Sequence, residues 1–191
     1  MRNLKLMLLM ALFLLPTQIQ GQTIARFLAD NGGAFDDKPT DYDILRRAVG
    51  TAGLVDALQN REAKLTLFAP NDRAFTRLAR DLGFEGVSDE QAVWRFLVQQ
   101  LTLLGEGDPI GPLTNILLYH VAPTDIDIVD FINAQEVVTL FEGSTFEVSN
   151  FVRIVDKDPE IKNARLFSPL NVKYSNGTVH GISRVLLPLD L

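Results

Sequence analysis

The stretch Asn171-Val172-Lys173-Tyr174-Ser175-Asn176-Gly177-Thr178-Val179-His180-Gly181-Ile182-Ser183-Arg184-Val185-Leu186-Leu187-Pro188 constrains the fold more than any other part of this chain. Asn-Gly between two β-prone runs predicts a two-residue type I′ turn, because both central residues must take positive φ at little steric cost. After the turn, Val179, Gly181, Ser183 and Val185 alternate with His180, Ile182, Arg184 and Leu186. This period of two predicts a strand with one mixed face and one face carrying His180 toward the apolar core, closed by Pro188.

Upstream, the patterning is helical. Thr23 to Ala29 is helix-like, and Asn31-Gly32-Gly33 opens an acidic loop that runs to Asp41. Tyr42 to Val49 and Leu54 to Leu58 carry apolar residues at helical spacing, with Gly50 and Gly53 as breakers between them. Leu65 to Ala69 reads as a strand stopped by Pro70, and Asn71 is placed to cap a helix bearing Ala74, Phe75, Leu78, Ala79 and Leu82 on one face. Gly83 ends that helix where left-handed geometry is needed. Ser88-Asp89-Glu90-Gln91 has the form of a capping box before a helix from about Asp89 to Leu104. Gly105 to Pro112 reads as a loop, with Thr114 capping a short helix from Asn115 to Tyr119.

From Val137 the period switches to two. Val137 to Leu140, Thr145 to Ser149, Val152 to Val155, Ala164 to Phe167, Val172 to Tyr174 and Thr178 to Leu187 are the candidate strands. Helices in the N-terminal half and strands in the C-terminal half predict an α+β class rather than alternating α/β.

A chain of 191 residues with 47% hydrophobic content supports one well-cored domain. Arg2 and Lys5, the apolar run Leu6 to Leu15, and the small residue Gly21 after Ile19-Gln20 read as a secretory signal over residues 1–21, leaving 22–191 as a single domain. A signal anchor or a buried N-terminal helix is the alternative. The apolar run is too short to span a bilayer stably. Removing Arg2 and Lys5 takes the formal charge from −6 to −8, with no basic stripe for nucleic acid or anionic lipid. With no cysteine, disulfides and thiolate metal sites are excluded.

The residues that carry chemistry are few. His120 and His180 are the only histidines, so a zinc or iron site would need both plus a carboxylate. No serine sits in a Gly-x-Ser-x-Gly frame, and neither a phosphate-cradling loop nor a dinucleotide fingerprint is present. Asp125-Ile126-Asp127-Ile128-Val129-Asp130 lacks the glycine and terminal glutamate of an EF-hand loop and reads as a solvated helix or turn face. Asn176-Gly177-Thr178 is formally a glycosylation acceptor, although the turn already accounts for Asn-Gly. No cofactor is expected.

Three ordered motifs resemble those of fasciclin-like domains. Thr66-Leu67-Phe68-Ala69-Pro70-Asn71-Asp72-Arg73-Ala74-Phe75 resembles the family's first signature, Leu117-Leu118-Tyr119-His120-Val121 its central Tyr-His element, and Asn176 to Pro188 its second signature. The resemblance spans about Asp41 to Pro188. It implies a wedge-shaped β-structure with helices along one side, in which Phe68, Pro70, Asn71, Phe75, Asn176, Gly177, His180 and Pro188 are structural. It also implies a secreted or surface-associated, non-enzymatic adhesion module that binds a cell-surface or matrix protein or glycan.

In some animal members the Tyr-His element and an Asp-Ile pair are implicated in integrin binding. Tyr119 and His120 match the first, whereas Asn171-Val172 replaces the second and removes its carboxylate. Ser183 stands where the family usually has aspartate, and Gly181 where a β-branched residue is frequent. Tyr119, His120, Glu106 and Asp108 are the candidate partner contacts, the latter two in the Gly105 to Pro112 segment; the acidic stretch Asp156 to Glu160 is a further recognition loop. The other reading is an extracellular small-ligand or lipid carrier with an apolar cavity. A hydrolase would require a histidine exposed beside a serine and a carboxylate.

Overall fold

The structure, a computed structural model, describes residues 21–36, 38–87, 89–150 and 152–189. The segment read as a secretory signal lies outside the described residues, apart from Gly21. Five helices and one strand come first: α1 (Ile24–Asn31), α2 (Asp43–Thr51), α3 (Val55–Gln59), β1 (Leu65–Pro70), α4 (Asp72–Asp81) and α5 (Glu90–Leu104). They are followed by α6 (Ile110–Tyr119), β2 (Val121–Ala122), α7 (Ile128–Asn133), β3 (Glu136–Val138), β4 (Thr145–Ser149), β5 (Arg153–Val155), β6 (Ala164–Tyr174) and β7 (Gly177–Ile182). Helices precede a mostly antiparallel sheet, so the class is α+β.

The strands form one seven-stranded sheet in the order β2-β1-β7-β6-β5-β4-β3. β1 and β7 run parallel, from Leu65 opposite Gly177 to Pro70 opposite Ile182, and the other pairs are antiparallel. β6 is continuous through Ala164–Tyr174 because a bulge between Phe167 and Val172 absorbs the break that the sequence suggests. The sheet curls until its ends nearly meet: the Leu140 N–H, just beyond β3, donates to the Val121 carbonyl of β2 at 2.7 Å.

This curl creates two cores. Leu65, Leu67 and Ala69 of β1 face the helices with Val179, whereas Phe68 points the other way into a second cluster with Tyr119, Phe131, Phe146, Ile154, Ile182 and Leu186. All six residues of β1 are buried, as expected of a strand covered on both faces. Phe68 meets Phe146 edge to face with ring centres 5.1 Å apart.

Several local expectations hold. Asn71 Oδ1 accepts the Ala74 N–H at 3.1 Å and caps α4, which Gly83 terminates at φ 93°. Others need correction. The cap of α5 is Asp89, whose carboxylate accepts the Ala92 N–H, rather than Ser88, which is outside the described residues. Helix α6 starts at Ile110, not Asn115: Asp108 accepts the Ile110 and Gly111 N–H groups, and Pro112 sits in the first turn, where a missing N–H costs nothing. β7 ends at Ile182, so Pro188 lies beyond the strand rather than closing it.

The turn before β7 is also not type I′. Tyr174 pairs with Gly177, which makes Ser175 and Asn176 the central residues, and neither has positive φ. Gly177 itself takes φ 144°, and a Cβ there would meet the Leu65 carbonyl oxygen at 1.8 Å. The close approach of β1 dictates this glycine. Asn176 is fully buried: its Oδ1 accepts the Ile24 N–H, and its Nδ2 donates to the Leu58 and Asn60 carbonyls. One side chain thus ties α1 and the C-terminal end of α3 to the head of the hairpin.

Candidate functional site

The structure separates the candidate residues into an interior set and a surface set. Tyr119 ends α6 and is fully buried, with its hydroxyl donating to the Thr145 carbonyl at 2.9 Å. Burial pushes its phenol pKa well above the ordinary tyrosine value. His120 follows at 1% exposure; Nδ1 donates to the Ile116 carbonyl at 2.7 Å and Nε2 accepts the Leu186 N–H at 2.9 Å. With both ring nitrogens engaged and burial holding its pKa down to about 4, the ring is neutral at physiological pH. Its carbonyl also accepts the Phe68 N–H at 2.9 Å. The expectation that Tyr119 and His120 offer a partner surface therefore needs correction: the pair fastens α6 to β1, β4 and the C-terminal segment.

His180 has the same character. It lies stacked against Phe68 with ring centres 5.8 Å apart, donates through Nε2 to the Ile126 carbonyl at 3.0 Å, and accepts the Asn171 N–H through Nδ1 at 3.3 Å. Burial lowers its pKa. Asn171, at the family's aspartate position, takes φ 57° and accepts the Ile128 N–H through its side chain. Ser183 Oγ accepts the Arg165 N–H, and Ser175 Oγ donates to the Gln22 carbonyl. Both serines thus work on backbone groups.

Asp127 caps α7 by accepting the Val129 and Asp130 N–H groups, while Asp125 accepts from Lys173 and Thr178. The Asp125 to Asp130 run is a helix start with an ion pair beside it. In the Asp156 to Glu160 stretch, Asp156 accepts the Leu187 N–H, and buried Asp158 caps the Glu160 and Ile161 N–H groups. Two of its carboxylates therefore serve the fold rather than a recognition loop.

The surface set is different. Glu106 and Asp108 are exposed in the short connection between α5 and α6. Those two helices, with α4, enclose an apolar groove of about 370 Å³, lined by Leu78 of α4, by Trp94, Leu97, Leu103 and Leu104 of α5, and by Leu113 of α6. Leu103 is 69% exposed and Leu104 41%. The acidic connection sits at the end of the groove where these leucines lie. The sequence carried one sign of it: Leu101, Leu103 and Leu104 cannot all share one narrow helical face, so the apolar stripe of α5 is wider than its core contact requires.

The curled sheet, the helical layer and the three motifs together define a fasciclin-type domain. The sequence profile of the Fasciclin domain matches residues 40–188, and the chain belongs to that family. It is similar to the transforming growth factor-beta-induced protein ig-h3 of Sus scrofa, with 31% identity over 77% of this chain but 18% of that protein. It is also similar to protein sll1483 of Synechocystis, with 32% identity over 77% of this chain and 67% of that protein. In structure it resembles a FAS1 domain pair from the insect cell adhesion molecule Fasciclin I at a TM-score of 0.58 and 16% identity, over 88% of this chain and 52% of that one. This likeness shows the shared fold. Among the described residues, no helix is long and apolar enough to cross a membrane.

Proposed function

We propose that this protein is an extracellular, non-enzymatic adhesion module that grips a protein on a cell surface or in a matrix through the groove between α4, α5 and α6. The observation that carries this reading is the groove: contiguous apolar side chains, two of them well-exposed leucines, with Glu106 and Asp108 at one end. An exposed apolar patch with a polar border suits protein recognition, and an aromatic or aliphatic anchor flanked by a basic residue would fit it. Family membership supports the same reading, since the insect neighbour is described as a cell adhesion molecule. Export through the N-terminal leader belongs to this proposal.

The test is retention of the purified protein on envelope and matrix fractions of the producing organism across a salt series. Saturable retention is expected, with Leu103→Glu removing it at an unchanged melting temperature. Retention unaltered by Leu103→Glu and Leu104→Glu would exclude the groove. Rim carboxylates contribute only if retention weakens with salt.

The groove's volume also supports a second reading, a carrier of small apolar ligands, since about 370 Å³ lies within the range of roughly 300–1,000 Å³ for ligand sites. Extraction of the purified protein followed by mass spectrometry separates the two. A stoichiometric apolar compound would favour the carrier.

A further inference from the structure

At the opposite end of α5 from its C-terminal leucines, at its first residue, a second constellation has no role in the groove. We infer that Asp36, Asp41, Asp43 and Glu90 form a binding site for a hard divalent cation of the calcium class. Each contributes a carboxylate oxygen, and these oxygens lie within 4.8 Å of one another. Asp36 and Asp41 come from the loop between α1 and α2, Asp43 is the first residue of α2, and Glu90 is the first residue of α5. Three chain segments thus converge on one point.

A cluster of acids alone would be unremarkable as surface chemistry, but two of these are interior: Asp43 is 2% exposed and Glu90 5%. One Asp43 oxygen accepts the Gly33 N–H, whereas Oδ2 is buried and has no hydrogen-bond partner among the described residues. A buried carboxylate oxygen left unpaired is unfavourable until a proton or a cation meets it. Glu90 accepts the Asp36 N–H at 2.8 Å. Four carboxyl groups thus face one another across the site. Lys38 answers one charge by pairing with Asp36 at 2.9 Å, but its side chain is 75% exposed and free to move aside.

Asp72 lies behind the cluster and shows what a satisfied member of this region looks like. Its two oxygens accept the Asp43 and Ile44 N–H groups at 3.0 and 2.8 Å. The N-termini of α2, α4 and α5 add a favourable field for carboxylates. That field and the capping bonds account for Asp72, but they leave Asp43 Oδ2 without a partner. A cation in front of Asp43 supplies it.

The donor set selects the metal. Carboxylate oxygens alone, without imidazole or thiolate, suit calcium or magnesium rather than zinc or copper. Ligands drawn from a loop and two helix starts suit calcium, which accepts irregular sets of six to eight oxygens, better than magnesium, which demands near-octahedral geometry.

Terbium luminescence provides the test, because terbium replaces calcium at carboxylate sites and Tyr42, between Asp41 and Asp43 in the chain, can sensitise it. The full protein should show saturable emission that calcium displaces and magnesium at the same concentration does not. A calcium dissociation constant between about 10⁻⁵ and 10⁻³ M is expected, in the range of sensor and extracellular sites. Asp36→Asn keeps the backbone N–H to Glu90 and alters an exposed side chain, so it should fold normally while weakening calcium at least about tenfold through the lost charge. Glu90→Gln should remove the response and leave melting without calcium unchanged or higher. Absence of saturable emission, equal displacement by magnesium, or unaltered affinity in both variants would overturn the site.

Discussion

His120 Nε2 accepts the backbone N–H of Leu186 at 2.9 Å, joining the end of α6 to the segment beyond β7 across 66 residues of chain. The same ring donates through Nδ1 to Ile116, so its tautomer is fixed with the proton on Nδ1. His180 is the mirror case, donating through Nε2 and accepting through Nδ1.

Two opposite tautomers are therefore expected in one protein. Imidazole ¹⁵N shifts should report Nδ1–H for His120 and Nε2–H for His180, with His120 neutral at pH 6. Because the folded pKa of His120 is depressed to about 4 from 6.5, the unfolded state binds the proton more readily. Its contribution to stability is complete above pH 6.5 and is lost as pH falls toward 4, by roughly 3 kcal/mol. A histidine that titrates near its ordinary value in the folded protein would contradict the buried assignment.

Asp156 should show the opposite sign. Burial raises its pKa to about 6 from 3.8, and Oδ1 is buried with no hydrogen-bond partner among the described residues. The folded state binds this proton more readily, so the charged carboxylate disfavours folding above pH 6, and the penalty fades as pH falls to 3.8. Asp156→Asn retains an acceptor for the Leu187 N–H. The variant should gain about 1 kcal/mol on wild type at pH 8 and nothing at pH 4, as read by urea denaturation at the two values.

Gly177→Ala tests the contact between β1 and β7. The added methyl carbon would meet the Leu65 carbonyl oxygen at 1.8 Å, on a backbone with φ 144°. Neither strand can retreat without breaking the parallel ladder, so the loss should be at least about 3 kcal/mol. Gly143→Ala is the control, with φ 71° and open space around it, and should cost about 1 kcal/mol from the dihedral alone. Thermal denaturation of the two variants checks the difference.

Asn176 should prove as important as any apolar core residue. Asn176→Ala removes three hydrogen bonds and leaves the Ile24 N–H and the Leu58 and Asn60 carbonyls to find other partners. A loss of about 2–4 kcal/mol is expected. Asn176→Asp keeps the acceptor for Ile24 but turns a negative oxygen toward two carbonyls, so it should be at least as destabilising at pH 7 and partly recover in acid. Since the side chain is fully buried, folded protein secreted from a glycosylating host should carry no glycan at this position by mass spectrometry.

What the sequence by itself determined was local. The strand read at Leu65 to Ala69, which extends through Pro70, the Asn71 cap and the α5 helix follow from periodicity and capping chemistry, which act over a few residues. The order of the three motifs was likewise sufficient to place the family. Even locally, the reading erred where a distant contact competed. The Asn176-Gly177 pair reads as a hairpin turn centre, but Gly177 is fixed by Leu65 and Asn176 by Ile24, Leu58 and Asn60.

Only the tertiary structure decided which conspicuous residues reach solvent. Tyr119 and His120 look available in a linear motif, yet the curl of the sheet closes over them. The groove required α4, α5 and α6 to pack with the wide stripe of α5 partly uncovered. The carboxylates of Asp36, Asp41, Asp43 and Glu90 are drawn from up to 54 positions apart and acquire meaning only when two helix starts and a loop meet. Propensity and periodicity describe neighbours along the chain, whereas burial, raised pKa values and convergent charge depend on neighbours in space.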